Sequence, residues 1–144
     1  MFFVEERKTS VKLLSNNTMK EPIILSGKVV QGKALGRTVG MPTANLLIAD
    51  GTMPENGVYV TRIRIGNEAY ASVTNIGRRP TVDDEAHITV ETHIIDFDRE
   101  IYGEQAVLEL HKFLRPIQKF ASLQEVKRQV EKDVETAKIY FHEI

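Results

Sequence analysis

Two residues close a glycine-rich segment and carry the ligands that phosphate chemistry needs. Thr43 and Asn45 stand two apart, so in an extended chain both side chains point to one face. A hydroxyl and an amide carbonyl are hard oxygen ligands, suited to a Mg²⁺ ion that completes its shell with water and phosphate oxygens. Upstream of them, Gly32, Gly36 and Gly40 recur at four-residue spacing, which lets backbone amides approach a ligand closely. No acid lies between Glu21 and Asp50, whereas Lys28, Lys33 and Arg37 do, so the segment is locally basic and suits a polyphosphate. Gly32, Lys33, Gly36, Arg37, Gly40 and Pro42 are therefore the candidate phosphate-binding residues of this loop. A solvated hairpin loop, with Thr and Asn satisfying turn backbone, fits the same spacing, and the residues alone leave both readings open. A third position, Glu91, lies in an alternating run. It is either an exposed strand carboxylate or a positioned proton acceptor.

The stretch Gly27-Lys28-Val29-Val30-Gln31-Gly32-Lys33-Ala34 nearly matches a phosphate-binding P-loop, but Ala34 has no hydroxyl for a metal. More glycines follow, not a helix whose N-terminus holds phosphate, so that reading is rejected.

The elements that must position these groups are strands. Ile23 to Val30 is short and β-branched, and Ala44 to Ile48 reads as another strand. Val58 to Ile65 and Ala69 to Ile76 flank Gly66-Asn67, a two-residue hairpin turn. Gly77-Arg78-Arg79-Pro80 reads as a loop. In residues 87–97, Ile88, Val90, Thr92 and Ile94 share one face, while Thr89, Glu91, His93 and Ile95 share the other. Ala106 to Leu114 is the last strand. Ser122-Leu123-Gln124-Glu125 fits a capping box. Leu123, Val126, Val130, Val134, Ala137 and Phe141 then form the buried stripe of an amphipathic helix. Residues 1–21 are mixed and polar, an N-terminal extension before a barrel domain at 22–144. Short turns between consecutive strands imply an antiparallel sheet, and closure into a barrel is the natural way to remove its edges.

Composition narrows the function. The 144 residues are 42% hydrophobic and 27% charged, which excludes a disordered or collagen-like chain. Lys and Arg number 19 against 20 Asp and Glu, so there is no basic excess for nucleic acid or an anionic membrane. Cysteine is absent, which removes disulfides, thiolate catalysis and Cys-ligated metals. The four histidines, His87, His93, His111 and His142, have no zinc-ligand spacing. No apolar run approaches the roughly 18 residues of a membrane-spanning helix, and the N-terminus lacks a signal-peptide pattern. A cytoplasmic location is expected.

Four blocks, in order, make the chain resemble the riboflavin kinase family, both stand-alone kinases and the kinase module of bacterial bifunctional FAD synthetases. They are Gly36 to Asn45 with its Pro42-Thr43-Ala44-Asn45 signature, and Asn75 to Thr81. The other two are Val90 to Phe97 with Ile101-Tyr102-Gly103, and Phe113 to Pro116 with Lys119 to Leu123. The blocks span roughly Ile24 to Phe141. Met41 and Val82 stand where the family pattern has Phe.

The resemblance implies a mainly β fold, a six-stranded antiparallel Greek-key β-barrel with a C-terminal α-helix. It also implies transfer of the γ-phosphoryl group of ATP to the terminal ribityl hydroxyl of riboflavin, giving FMN and ADP. By family pattern Thr43 and Asn45 hold a divalent cation with the nucleotide phosphates, and Glu91 is the general base. Asn75 and Gly77 are expected to shape a loop near the nucleotide. Arg115 is expected either to reach a ligand or to cap a neighbouring carbonyl. His93, Phe97, Tyr102 and Phe120 are candidates to line the flavin site or, alternatively, to be surface or core residues. Loops 31–42 and 77–86 are expected to close over ligands. A non-catalytic flavin-binding regulatory module is the alternative function. The expected state is a monomer without nucleic-acid or membrane partners. FMN is the expected end product, because the chain carries no His-x-Gly-His signature and only about 21 residues precede the barrel, too few for a βαβ unit.

Overall fold

The computed structural model describes residues 18–30, 43–80 and 86–143. Six strands, β1 (Thr18–Val30), β2 (Ala44–Asp50), β3 (Gly57–Ile65), β4 (Glu68–Pro80), β5 (Ala86–Ile94) and β6 (Gln105–Arg115), precede one helix, α1 (Leu123–Glu143). The strands close into a barrel in the order β1-β2-β5-β4-β3-β6, with all pairs antiparallel. β3, β4 and β5 form a meander and β2 returns beside β5, which is the Greek-key connection.

Three boundaries differ from the sequence reading, the simplest being that the run read as alternating over 87–97 ends as a strand at Ile94. β1 begins at Thr18, inside the stretch read as an extension, because Thr18 already pairs with Lys112 of β6. Gly77-Arg78-Arg79-Pro80 is not a loop. These residues continue β4, paired with Thr89, Ile88, His87 and Ala86. Long-range pairing overrides local composition there, and Pro80 sits at the last pair, where a missing N–H is tolerated.

The hairpin at Gly66-Asn67 forms as expected. Gly66 takes a φ of 62° and Asn67 is not in the left-handed region, the pattern of a type II′ turn. Gly27 serves a different need. It sits where the β1–β2 register shifts, and a Cβ there would lie 2.1 Å from the Leu47 carbonyl oxygen.

Alternation sorts the side chains into an interior and an outer wall. Leu25, Val29, Leu46, Ile63, Ile65, Ile76, Val90, Leu108 and Leu110 fill the barrel. A second cluster forms outside it, where Val58, Val60, Val73 and Ile95 are covered by Val134, Ala137, Tyr140 and Phe141 of α1. Most of the predicted helical stripe does face the barrel. Leu123 does not; at the first helical position it is 58% exposed. Ser122 caps α1 by accepting a hydrogen bond from the Glu125 amide at 3.2 Å, and Glu125 reaches back to the Ala121 amide at 3.0 Å. This is the expected capping box, with the return bond one residue earlier.

Polar contacts fasten both parts of the helix. At its middle, Asp133 is buried and accepts from Arg115 Nη2 at 2.9 Å and from Gln129 Nε2 at 3.1 Å. Near its end, His111 contacts the Tyr140 hydroxyl at 3.1 Å and Glu109 Oε1 at 3.1 Å, while Arg62 lies over the Phe141 ring. Burial raises the Glu109 pKa, but hydrogen bonds from Arg64 and His111 outweigh it and leave it below its ordinary value. For His111 burial prevails over the bond to Glu109, and the imidazole pKa falls below 6.5.

Candidate active site

Glu91 lies on β5 between Val90 and Thr92, both buried inward, so its own side chain faces outward. Pairing then fixes its neighbours. Asn45 of β2 stands opposite Glu91 on one side, and Asn75 of β4 stands opposite it on the other. The same level continues through Val58 of β3 to Arg115 of β6. Asn45, Glu91, Asn75, Val58 and Arg115 therefore form one row across five strands. Adjacent members are about 4.8 Å apart in the hydrogen-bonding direction. Four of the candidates drawn from the sequence fall on this row. No covering loop is needed to bring Glu91 to Asn45, because the sheet does it directly.

The row runs from open wall to covered wall. Asn75 is exposed, and Glu91 and Asn45 are half-buried. Val58 is 2% exposed, because α1 lies over it. A shelf results, with an acid between two amides at one end and the helix at the other. His93 shares the outer face with Glu91 and pairs with Val73, which the helix covers. Thr43 immediately precedes β2 and is half-buried. Gly77 lies two residues beyond Asn75 on β4, and a Cβ there would meet the Thr89 hydroxyl at an ordinary 3.4 Å.

Arg115 terminates the row but is already engaged. Its guanidinium makes a two-point contact with Asp133, at 2.9 and 3.4 Å, and sits over the Phe120 ring. Its visible work is to bind helix to barrel. Phe97 packs edge-on against Tyr70 beside the core, and Tyr102 is exposed. Gly32, Lys33, Gly36, Arg37, Gly40 and Pro42 lie outside the described residues, as do Met41 and Val82.

Sequence reading missed a hollow at the barrel mouth. Met53, Pro54, Glu55, Asn56 and Arg78 line it. The 51–56 connection stands beside the end of β4 because Gly57 pairs with Ile76, the residue after Asn75. Tyr59 plugs the mouth from within, donating its hydroxyl to the Glu55 carbonyl at 2.7 Å and packing edge-on against Phe113. Burial holds its phenol well above the ordinary range. The signals Asp50-Gly51 and Glu55-Asn56-Gly57 were legible only as turns.

Two neutral oxygen donors, Thr43 and Asn45, beside one carboxylate fit a hard divalent cation that takes the rest of its shell from phosphate and water. Among the described residues no group of three or more His, Cys, Asp or Glu could hold a metal alone.

Fold and site define a closed Greek-key barrel whose candidate chemistry sits on its outer wall. A family model described as flavokinase, riboflavin kinase, matches residues 19–141, and the chain belongs to the riboflavin kinase family. It is 38% identical over 130 residues to a bifunctional riboflavin kinase/FMN adenylyltransferase of Haemophilus influenzae, covering 90% of this chain and 42% of that protein. Among solved structures it resembles a chain described as a macrolide-efflux protein from Streptococcus pneumoniae, with a TM-score of 0.77 and 36% identity, over 81% of this chain and 38% of that one. Riboflavin kinase from Trypanosoma brucei shares the fold, with a TM-score of 0.57 and 22% identity over 85% of this chain and 78% of that one. The chain spans about two-fifths of the length of the curated bifunctional relatives it matches.

Proposed function

We propose that this chain transfers the γ-phosphoryl group of ATP to the ribityl 5′-hydroxyl of riboflavin, producing FMN and ADP. The observation that carries this is the Asn45–Glu91–Asn75 register in a chain of the riboflavin kinase family. A primary alcohol is a poor nucleophile, and its proton must leave as the bond to phosphorus forms. Glu91 accepts that proton from the 5′-hydroxyl. Asn75, one strand away on the exposed side, orients the same hydroxyl through its amide. Thr43 and Asn45 would hold the divalent cation, Mg²⁺ in our reading, which when bound neutralises charge on the phosphate oxygens. Gly32, Lys33, Gly36, Arg37, Gly40, Pro42 and Gly77 would complete the nucleotide site, and Arg115 would border it by fixing the helix.

In our reading the reaction of this chain yields FMN, and the protein works as a monomer in the cytoplasm. Closure of the described strands into a barrel limits the strand edge open to a second copy, although the β2–β5 seam is short. No helix among the described residues is long and apolar enough to cross a membrane. Turnover of riboflavin with ATP and Mg²⁺, followed by chromatography of the flavins, tests the activity. Glu91→Gln should lower kcat by roughly 10²–10⁴ with little change in nucleotide affinity. Wild-type turnover in that variant would remove Glu91 from the mechanism.

A further inference from the structure

Inside the barrel, behind the acid row, runs a chain of four buried hydroxyls. Ser72 contacts Thr61 at 2.6 Å, Thr61 contacts Thr74 at 2.8 Å, and Thr74 contacts Thr92 at 2.8 Å. All four residues are fully buried, in an interior filled mainly by Leu, Ile and Val. The chain crosses three strands, β3, β4 and β5. Its last two members sit one residue along from the acid row: Thr74 pairs with Thr92 while Asn75 pairs with Glu91. On the other side Thr92 pairs with Ala44, next to Asn45, and the hydroxyls stop there.

Stability alone does not call for such a chain. Replacing hydrogen-bonded partners together by apolar groups of the same shape is often nearly neutral. Apolar packing, however, has no direction and tolerates small lateral shifts of one strand against another. Hydrogen bonds between short side chains hold a distance and an angle, and an unpaired hydroxyl in this interior would carry a penalty of about 1–3 kcal/mol.

We propose that the Ser72–Thr61–Thr74–Thr92 chain is a positioning device for Glu91 and Asn75, with Thr74 as its central member. It locks β5 onto β4 from the inside at the level where the acid and the amide face outward. The proposal rests on the reading of Glu91 as proton acceptor. In a phosphoryl transfer, a displacement of about 1 Å at the reacting groups can cost on the order of 10² in rate.

The test is a double-mutant cycle in steady-state turnover, with the fold of each variant checked by circular dichroism. Thr74→Val keeps the shape and removes both of its hydrogen bonds. It should lower kcat between about tenfold and a hundredfold, with KM for ATP and riboflavin within about twofold. Thr74→Ser keeps the hydroxyl and should restore most of the loss. In a Glu91→Gln background, Thr74→Val should cost much less, because the larger part of its effect runs through Glu91 and only the part through Asn75 remains. Equal losses in both backgrounds, or full turnover in Thr74→Val, would overturn the proposal while leaving the kinase reading intact. Full turnover in Glu91→Gln would bring down the proton-acceptor reading of Glu91 and this proposal with it. If Thr74→Val does not fold, Thr92→Val removes only the terminal link, and the same cycle decides on it.

Discussion

At the scale of single residues, the site is a carboxylate flanked by two amides on an outer wall. Each flanking residue has a distinct expected deficit. Asn45→Ala and Thr43→Ala would remove the proposed neutral oxygen ligands, so the magnesium concentration for half-maximal activity should rise in both. A titration that overlays on wild type would refute the metal assignment. In its proposed role, Asn75→Ala would delete a neutral hydrogen bond to substrate. Its kcat/KM for riboflavin should fall roughly two- to tenfold, the effect of about 0.5–1.5 kcal/mol, with the ATP dependence unchanged. The outward aim of Glu91 was legible in the sequence, since the alternation around it separates Val90 and Thr92 from Glu91 and His93. Its neighbours were not. Which residues of β2 and β4 oppose Glu91 depends on register between strands distant in sequence, and nothing local encodes that pairing. The hydroxyl chain was hidden for the same reason: Thr61, Ser72, Thr74 and Thr92 are unremarkable strand residues until three strands are laid side by side.

At the scale of elements, α1 is a bolt on the covered end of the shelf. Asp133 lies on the helical stripe that sequence reading treats as apolar, and it is 4% exposed. Its partner Arg115 reaches it from the end of β6. Asp133→Ala would strand a half-buried guanidinium at the helix–barrel seam, and unfolding free energy should fall by about 3–5 kcal/mol. If urea denaturation shows less than about 1 kcal/mol, the pair is only a surface contact. The cap is a smaller fastening: Ser122→Ala should cost about 1 kcal/mol in the same assay. The capping box and most of the helical stripe were readable because they are local patterns with fixed spacing. Gly77-Arg78-Arg79-Pro80 misled because glycine and proline signal a turn, yet four partners on β5 hold the segment straight.

At the scale of the whole molecule, stability and pH are linked through the end of the helix. His111 is packed against Glu109 of its own strand, Tyr140 and Phe141 of α1, and Arg62 of β3, with Arg64 bound to Glu109. Its folded pKa is depressed, so the unfolded chain binds that proton more readily. The contribution to stability is full above pH 6.5 and is lost as pH falls through the folded pKa. Glu109 adds a second loss, in the same direction, as pH falls below its ordinary 4.5. Urea midpoints should therefore drop between about pH 7.5 and about pH 5.5, and His111→Gln should flatten that drop. An unchanged slope would show that another group carries the pH dependence. The closed barrel was legible as a class, because six short strands with short turns must hide their edges. The monomer expected from closure can be weighed directly: light scattering should give a mass near 16.3 kDa.

The seams of the barrel are unequal. Among the described residues β4 and β5 share nine pairs, whereas β2 and β5 share two, Ala44 with Thr92 and Asn45 with Glu91. Among the described residues, the narrowest join in the wall is thus also the place where the proposed metal ligand and the proposed proton acceptor meet. A metal–nucleotide complex spanning Asn45 and Glu91 would act as a missing rivet, completing a joint that the backbone leaves short. Binding free energy would then register as closure of the whole cylinder, by the mass-action term that any native-state ligand contributes. Amide exchange at Asn45 and Glu91 would slow on adding ATP and magnesium well before exchange at the long β3–β4 seam changes.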